Sequence, residues 1–137
     1  MTNRAMHRSL ATVALVVPDY DEAIHFYVGT LGFGLVSDID LGGGKRWVTV
    51  GVEGGARFLL AKADGDEQSA RIGDQTGGRV GFFLETDDFA RDHAAMTARG
   101  VRFLEEPRHE AYGSVAVFED IYGNRFDLIE PQKAENR

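Results

Sequence analysis

An internal repeat constrains the fold of this chain more than any other feature of its sequence. The segment TVALVVPDYDEA, which begins at Thr12, aligns with RVGFFLETDDFA, which begins at Arg79, at an offset of 67 positions. The segment RFLLAK, from Arg57, aligns with RFDLIE, from Arg125, at an offset of 68. Because matching elements recur in the same order, we predict two copies of one structural unit.

Each copy has the pattern of a βαβββ unit, over about residues 11–62 and 79–130. A β-rich run ends at Pro18, and an amphipathic helix follows that ends near Gly32 in the first copy and near Gly100 in the second. Three strand-like runs come after each helix. We therefore predict an α+β fold in which two βαβββ units form a curved sheet around a central cavity, because a helix covers one face of each sheet and leaves the other to be enclosed.

Size and composition exclude several classes of protein. A length of 137 residues fits one domain spanning 1–137, and a net charge of −7 argues against nucleic-acid binding. The absence of cysteine excludes disulfides and thiolate-bound metals. No apolar run approaches the roughly 20 residues of a membrane span, and the polar opening MTNRAMHRSL has no signal core. These features predict a cytoplasmic protein without a membrane partner.

The repeat carries motifs that resemble one superfamily. The early segment VALVVPDYDEAIHFYVGTLGF and the late segment FEDIYGNRFDLIEP are similar to those of the vicinal oxygen chelate superfamily. That group includes glyoxalases, extradiol dioxygenases, fosfomycin-resistance enzymes and bleomycin-binding proteins. The resemblance covers about residues 11–131 and implies a small-molecule ligand or substrate and a homodimer. The reactions of its members differ, so the resemblance does not by itself imply one function.

The resemblance also implies where a metal would bind. Metal-dependent members place ligands on the first and last strand of each unit, and these positions fall on Thr12, Arg79, Leu59 and Asp127. Asp127 is the one carboxylate among the four, whereas a catalytic zinc needs about three protein ligands. We therefore expect no cofactor at this position, with a divalent metal at a rebuilt site as the alternative. Arg79 and Asp127 are expected to face one pocket, either as an internal ion pair or with Arg79 holding an anionic group of a ligand.

Other side chains complete the predicted site. Proton transfer without a metal could use three residues: Asp127, Glu85 and His109. The expected ligand wall consists of Thr12, Trp47, Leu59, Arg79, Phe83 and Tyr112. The glycine-rich segment 62–78 is interpreted as a linker between the units or as a loop over the cleft.

Three functions are compatible with these residues. We favour a protein that binds a small molecule in the cavity between its two units without the usual metal, similar to the bleomycin-binding members. The first alternative is a metal-dependent lyase, isomerase or dioxygenase with a non-standard ligand set. The second is a metal-independent enzyme that works by acid–base catalysis.

Overall fold

A computed structural model describes residues 6–132 of the chain. The first unit comprises β1 (Thr12–Val17), α1 (Tyr20–Ile24) with a π-helical turn (His25–Thr30), β2 (Gly34–Gly42), β3 (Lys45–Gly51) and β4 (Arg57–Lys62). The connecting segment contains α2 (Asp66–Ser69). The second unit comprises β5 (Val80–Glu85), α3 (Phe89–Ala98), β6 (Arg102–Phe103), β7 (Arg108–Glu110), β8 (Gly113–Glu119) and β9 (Arg125–Pro131). Residues 1–5, in the predicted polar lead-in, lie outside the described residues.

Each unit forms its own sheet, and the two sheets have equivalent topologies. The strand order is β1-β4-β3-β2 in the first sheet and β5-β9-β8-β6 in the second, where the short β7 also pairs with β8. The first strand of each unit lies parallel to the last, and the remaining pairs are antiparallel. The predicted α+β class and the two βαβββ units are confirmed. Within residues 6–132, no helix is long and apolar enough to cross a lipid bilayer.

The helices begin and end at equivalent local signals. The carboxylates of Asp19 and Asp88 each accept a hydrogen bond from the backbone N–H three residues later, at 2.8 and 3.0 Å. Gly32 and Gly100 follow the helical segments with φ of 90° and 92°, a conformation that costs glycine little. The helix bounds therefore follow from local chemistry that both units share.

One hydrophobic core joins the two units. It contains the residues of each sheet that face the helices, together with the apolar side chains of the helices themselves. The rings of Phe58 and Phe82, from different units, lie 4.8 Å apart with their planes nearly perpendicular, and Tyr27 lies 6.3 Å from Phe126. Edge-to-face aromatic pairs at such distances stabilise a core beyond the area that they bury. The helix-covered faces of both sheets therefore contribute to a single interior.

The connecting segment is attached to both units. The side-chain amide of Gln75 donates to the Ala14 carbonyl and accepts from the Val16 N–H, at 2.5 and 2.8 Å, and so occupies the free edge of β1. The Thr76 side chain lies against Gly81, where a Cβ would come within 2.4 Å of the Thr76 Cγ2. This segment is therefore a structured linker that covers the outer edge of β1.

Candidate functional site

A cleft of about 560 Å³ lies between the two units. The first unit contributes Val13, Phe33 and Phe58 to its walls, and the second contributes Phe82, Phe83 and Phe126. The β3–β4 connection, residues 52–56, forms one side. A volume of about 300–1,000 Å³ with mostly apolar and aromatic walls is typical of small-molecule sites.

The aromatic rings of the cleft differ in their exposure. Phe58 and Phe126 are buried in the core, and the partly buried Phe82 packs against both, with the Phe82 and Phe126 centroids 5.0 Å apart. Phe83 is 63% exposed. It therefore offers a ring face to a ligand, while the buried rings give the cleft a rigid apolar floor.

The face of the first sheet that points away from α1, which we term the first open face, carries several predicted site residues. Alternation along the strands places Trp47 and Leu59 there, because their neighbours Val48 and Leu60 are buried in the core. Trp47 is 44% exposed and lies opposite Ile39. Neither Trp47 nor Leu59 lines the cleft. The residues of the predicted ligand wall therefore lie on two different surfaces, the cleft and the first open face.

The second open face is the equivalent surface of the second sheet. Strand register places Phe83, Asp127 and Val117 side by side across β5, β9 and β8. Side chains of paired residues point to the same face of a sheet, and neighbouring strands are about 4.8 Å apart. Asp127 therefore lies immediately beside the exposed ring of Phe83, which also lines the cleft.

Asp127 is partly buried and lacks a hydrogen-bond partner for one oxygen. Its Oδ1 atom is buried and accepts no hydrogen bond from any residue in the described range 6–132. Burial raises the pKa of the Asp127 carboxyl; the positive charge of Arg108 acts in the opposite direction, and the negative charge of Glu105 adds to the rise. Such an uncompensated group is uncommon in a folded protein.

Arg108 is engaged by other carboxylates. Its Nε donates to Glu105 Oε1 at 2.9 Å and its Nη1 to Glu110 Oε2 at 3.0 Å, with the Tyr112 hydroxyl 3.4 Å away. The guanidinium holds the pKa of Glu105 below its usual range, and Glu105 Oε2 also accepts from the Val117 N–H at 2.9 Å. These carboxylates largely neutralise the positive charge of Arg108, which weakens its attraction for the Asp127 carboxyl.

The predicted pairing of Arg79 with Asp127 is wrong. Arg79 is exposed and precedes the first residue of β5, and within residues 6–132 it makes no salt bridge to Asp127. The two residues are offset along the sheet, as are their counterparts in the first unit, where Thr12 lies opposite Arg57 and Leu59 lies opposite Ala14. Asp127 lies opposite Phe83, four residues beyond Arg79, and an extra residue, Gly81, between Val80 and Phe82 adds to this offset.

Register also separates the three residues considered for proton transfer. Glu85 lies on the second open face opposite Ile129, two residues along β5 from Phe83, and it lines the cleft. His109 pairs with Ser114, and the two side chains are 2.9 Å apart. Its position alternates with Arg108, so it points to the opposite face from Asp127. The fold does not bring Asp127, Glu85 and His109 together.

The residues at the expected metal positions do not form a ligand set. Thr12 lies opposite Arg57 at the start of β1, and Leu59 lies opposite Ala14. Across the part of the chain that the structure describes, no group of three or more histidine, aspartate or glutamate side chains is arranged to hold a metal ion. Asp127, between Phe83 and Val117, has apolar neighbours in place of further ligands.

Sequence reasoning missed most of the cleft wall. The four phenylalanines absent from the predicted site are Phe33, Phe58, Phe82 and Phe126. Phe58 and Phe126 occupy equivalent positions in the two copies of the Arg-Phe pair, but their alternation along the strand indicates only a core role. That the same rings also line a cleft depends on how the two units pack together.

Comparisons with known proteins agree with this architecture. The model of the Glyoxalase/Bleomycin resistance protein/Dioxygenase superfamily matches residues 9–128. An uncharacterized protein of Shewanella frigidimarina is 50% identical over 128 residues, which cover 91% of this chain and 95% of that protein. The match thus extends over nearly the whole chain.

Two solved structures are similar in both sequence and fold. The structure of UcmS2 is 30% identical with a TM-score of 0.79, and the alignment covers 91% of this chain and 99% of UcmS2. The structure of TnmS3, an antibiotic binding protein from Streptomyces sp. CB03234, is 28% identical with a TM-score of 0.72, covering 96% of this chain and all of that one (100%).

Proposed function

The chain belongs to the Glyoxalase/Bleomycin resistance protein/Dioxygenase superfamily, and from that premise we propose that it binds a drug-sized aromatic molecule reversibly, without a metal and without altering the ligand chemically. The ligand occupies the cleft between the two units and contacts the exposed ring of Phe83. The apolar cleft of about 560 Å³ is the observation that carries this proposal.

The composition of the cleft supports binding rather than catalysis. Its floor consists of packed phenylalanine rings, which attract apolar and aromatic surface but donate and accept no protons. The carboxylates at its edge are Glu53 and Glu85, and no histidine within residues 6–132 lines it to act as a general base. A similar fold occurs in TnmS3, an antibiotic binding protein, and an antibiotic or a comparable natural product is the ligand class that we propose here.

Independence from metal is a separate part of the proposal. Leu59 and Thr12 cannot replace histidine or glutamate as ligands, and Asp127 has apolar neighbours on both adjacent strands. The test is elemental analysis of untagged protein after dialysis against Zn²⁺, Mn²⁺, Ni²⁺ and Fe²⁺ in turn. We expect far less than one ion per chain. One tightly held ion per chain would overturn this part and favour metal-dependent chemistry.

Calorimetric titration with bleomycin, doxorubicin and anthraquinone-2-sulfonate tests binding directly. We expect saturable binding of at least one of these, and recovery of the same compound, unchanged in mass, after prolonged incubation. Phe83→Ala should weaken binding about tenfold through loss of aromatic contact. Leu41→Ala, at a similarly exposed position outside the cleft, should have no effect. No binding by any probe, or equal loss in both variants, would refute the site.

We propose further that the protein is a cytoplasmic homodimer whose first open face contributes to the subunit interface. The first open face and its margin present Leu35, Ile39 and Trp47 to the exterior, and exposed apolar clusters of this kind are typical of protein interaction surfaces. Light scattering coupled to gel filtration should give twice the monomer mass. Ile39→Lys should shift this toward the monomer, and an unchanged dimer in that variant would exclude this face from the interface.

A further inference from the structure

A carboxyl group without a partner stands beside the exposed aromatic ring of the cleft. Asp127 Oδ1 is buried, and no donor within residues 6–132 reaches it. Buried polar atoms in native proteins are almost always paired, and an unpaired one costs free energy. The described chain therefore leaves the hydrogen-bonding capacity of this carboxylate unused, and because Oδ1 is buried, a ligand would reach the carboxylate through Oδ2.

The surrounding charges do not neutralise this carboxyl. Arg108 attracts it, but Glu105 and Glu110 take the hydrogen bonds of that guanidinium at 2.9–3.2 Å. Glu85, on the same face, adds negative charge. A positively charged group placed next to Asp127 would thus be attracted by an acceptor that no side chain of the described chain satisfies.

Phe83 links this acceptor to the cleft. It pairs with Asp127 across β5 and β9, the two side chains share one face, and its ring lines the cleft and is 63% exposed. Asp127 does not itself line the cleft, but a planar ligand at the cleft edge that contacts the open-face side of the Phe83 ring would hold its substituents within a few ångströms of the Asp127 carboxyl, since the two strands are about 4.8 Å apart. The ring of Phe83 thus supplies an apolar contact for a ligand, and the carboxyl of Asp127 supplies a polar one.

We propose that Asp127 is the polar anchor of the binding site and selects aromatic ligands that carry a protonated amine or a comparable N–H donor. This inference rests on the proposed function and adds the chemical class of the ligand. The ligand's ring contacts Phe83, and its N–H group donates to Oδ2 of Asp127, because Oδ1 is buried. Such a bond is charge-assisted and is stronger than one between neutral groups.

A pair of probes with the same ring system tests the selectivity. We would titrate the protein with 9-aminoacridine, which is cationic at neutral pH, and with acridine-9-carboxylate, which is anionic. The unmodified protein should bind the amine at least about tenfold more tightly, the difference expected from one charge-assisted hydrogen bond. Asp127→Asn should remove most of this preference. Phe83→Ala should weaken both probes, which separates ring contact from anchoring.

Two variants control for the general effect of negative charge. Asp66→Asn removes one carboxylate from α2, far from the cleft lining, and should leave both affinities unchanged. Glu85→Gln removes a carboxylate from the same open face and should have a much smaller effect than Asp127→Asn. If Glu85→Gln and Asp127→Asn weaken binding of the cationic probe equally, Asp127 is not a specific anchor, and the preference arises from the general negative charge of the surface.

The remaining outcomes distinguish this inference from the proposed function. If both probes bind equally and Asp127→Asn changes neither affinity, the anchor is refuted while small-molecule binding stands. If neither probe binds, and the panel of antibiotics does not bind either, both proposals are refuted together. Circular dichroism and thermal melting of each variant would establish that the fold is retained.

Discussion

The phenolic hydroxyl of Tyr27 lies 2.5 Å from Oδ2 of Asp120, and this hydrogen bond joins the helical segment of the first unit to the β8–β9 turn of the second. Asp120 is 4% exposed, and both of its oxygens are satisfied. Oδ1 accepts from the backbone N–H groups of Tyr122 and Asn124, and Oδ2 also accepts from the Asn124 side chain. Burial, together with the negative charge of Asp120, raises the pKa of Tyr27.

Tyr27→Phe should therefore destabilise the protein by about 1–3 kcal/mol, because a buried carboxylate loses one of its donors. Urea denaturation followed by circular dichroism gives the change in the free energy of unfolding. Tyr122→Phe is the matched control, since its hydroxyl donates to the exposed Glu22 at 2.9 Å, and we expect a loss below about 1 kcal/mol. Equal losses of unfolding free energy in the two variants would mean that the buried Tyr27–Asp120 bond stabilises the protein no more than the exposed Tyr122–Glu22 bond does.

Asp127 should make stability depend on pH in the opposite sense to an ion-paired aspartate. Its folded-state pKa is raised by burial, against the attraction of Arg108 and with the repulsion of Glu105. Between the ordinary aspartate pKa of about 3.9 and the raised value, the folded state binds more protons than the unfolded state. Its contribution to stability therefore falls as pH rises through that window, and the cost is complete above it.

Asp127→Asn should in consequence be more stable than the unmodified protein at pH 7, by about 1 kcal/mol. The advantage should shrink as pH falls through that window, because the carboxyl of Asp127 then takes up a proton in the folded state and becomes neutral. Denaturation of both proteins across this range supplies the measurement, and taking their difference cancels the other titrating groups. A difference that is constant with pH would show that Asp127 does not titrate differently on folding.

Gln75→Ala should lower stability by about 1–2 kcal/mol, since two hydrogen bonds to the backbone of β1 are lost. The variant also exposes the free edge of β1, so it should aggregate more readily during thermal unfolding. Gln68→Ala removes a single bond, to the N–H of Asp64 in an exposed turn, and should cost less. If the two variants melt at the same temperature, the hydrogen bonds of Gln75 to β1 do not stabilise the protein more than the single bond of Gln68 does.

Gly81→Ala should destabilise the protein by roughly 1 kcal/mol or more, because the new Cβ would lie 2.4 Å from the Thr76 Cγ2. Thr76→Ser removes that methyl group and keeps the hydroxyl that donates to the Arg79 carbonyl at 2.7 Å. Gly81→Ala should therefore cost less in a Thr76→Ser background. A double-mutant cycle measures the coupling, and simple additivity would exclude the steric explanation.

The repeat, the α+β class and the ends of the helices follow from the amino-acid sequence alone. These features depend on local chemistry, namely alternation of apolar residues, the capping carboxylates of Asp19 and Asp88, and the glycines at positive φ after each helix. Local signals of this kind act over a few residues, so they can be interpreted without knowledge of the partner strand. The resemblance to the superfamily rested on the same segments.

Which side chains meet depends on how the strands and the two units pack together. Arg79 and Asp127 do not meet because Asp127 lies opposite Phe83, four residues after Arg79, and the apolar pattern used for the alignment does not reveal this offset. Phe58 and Phe82 are separated by 24 positions and belong to different units, yet their rings lie 4.8 Å apart and line one cleft. Such contacts depend on register and on the packing of one unit against the other. A periodic pattern indicates which side chains of a strand point toward the core, but it does not indicate which residues of other elements they contact.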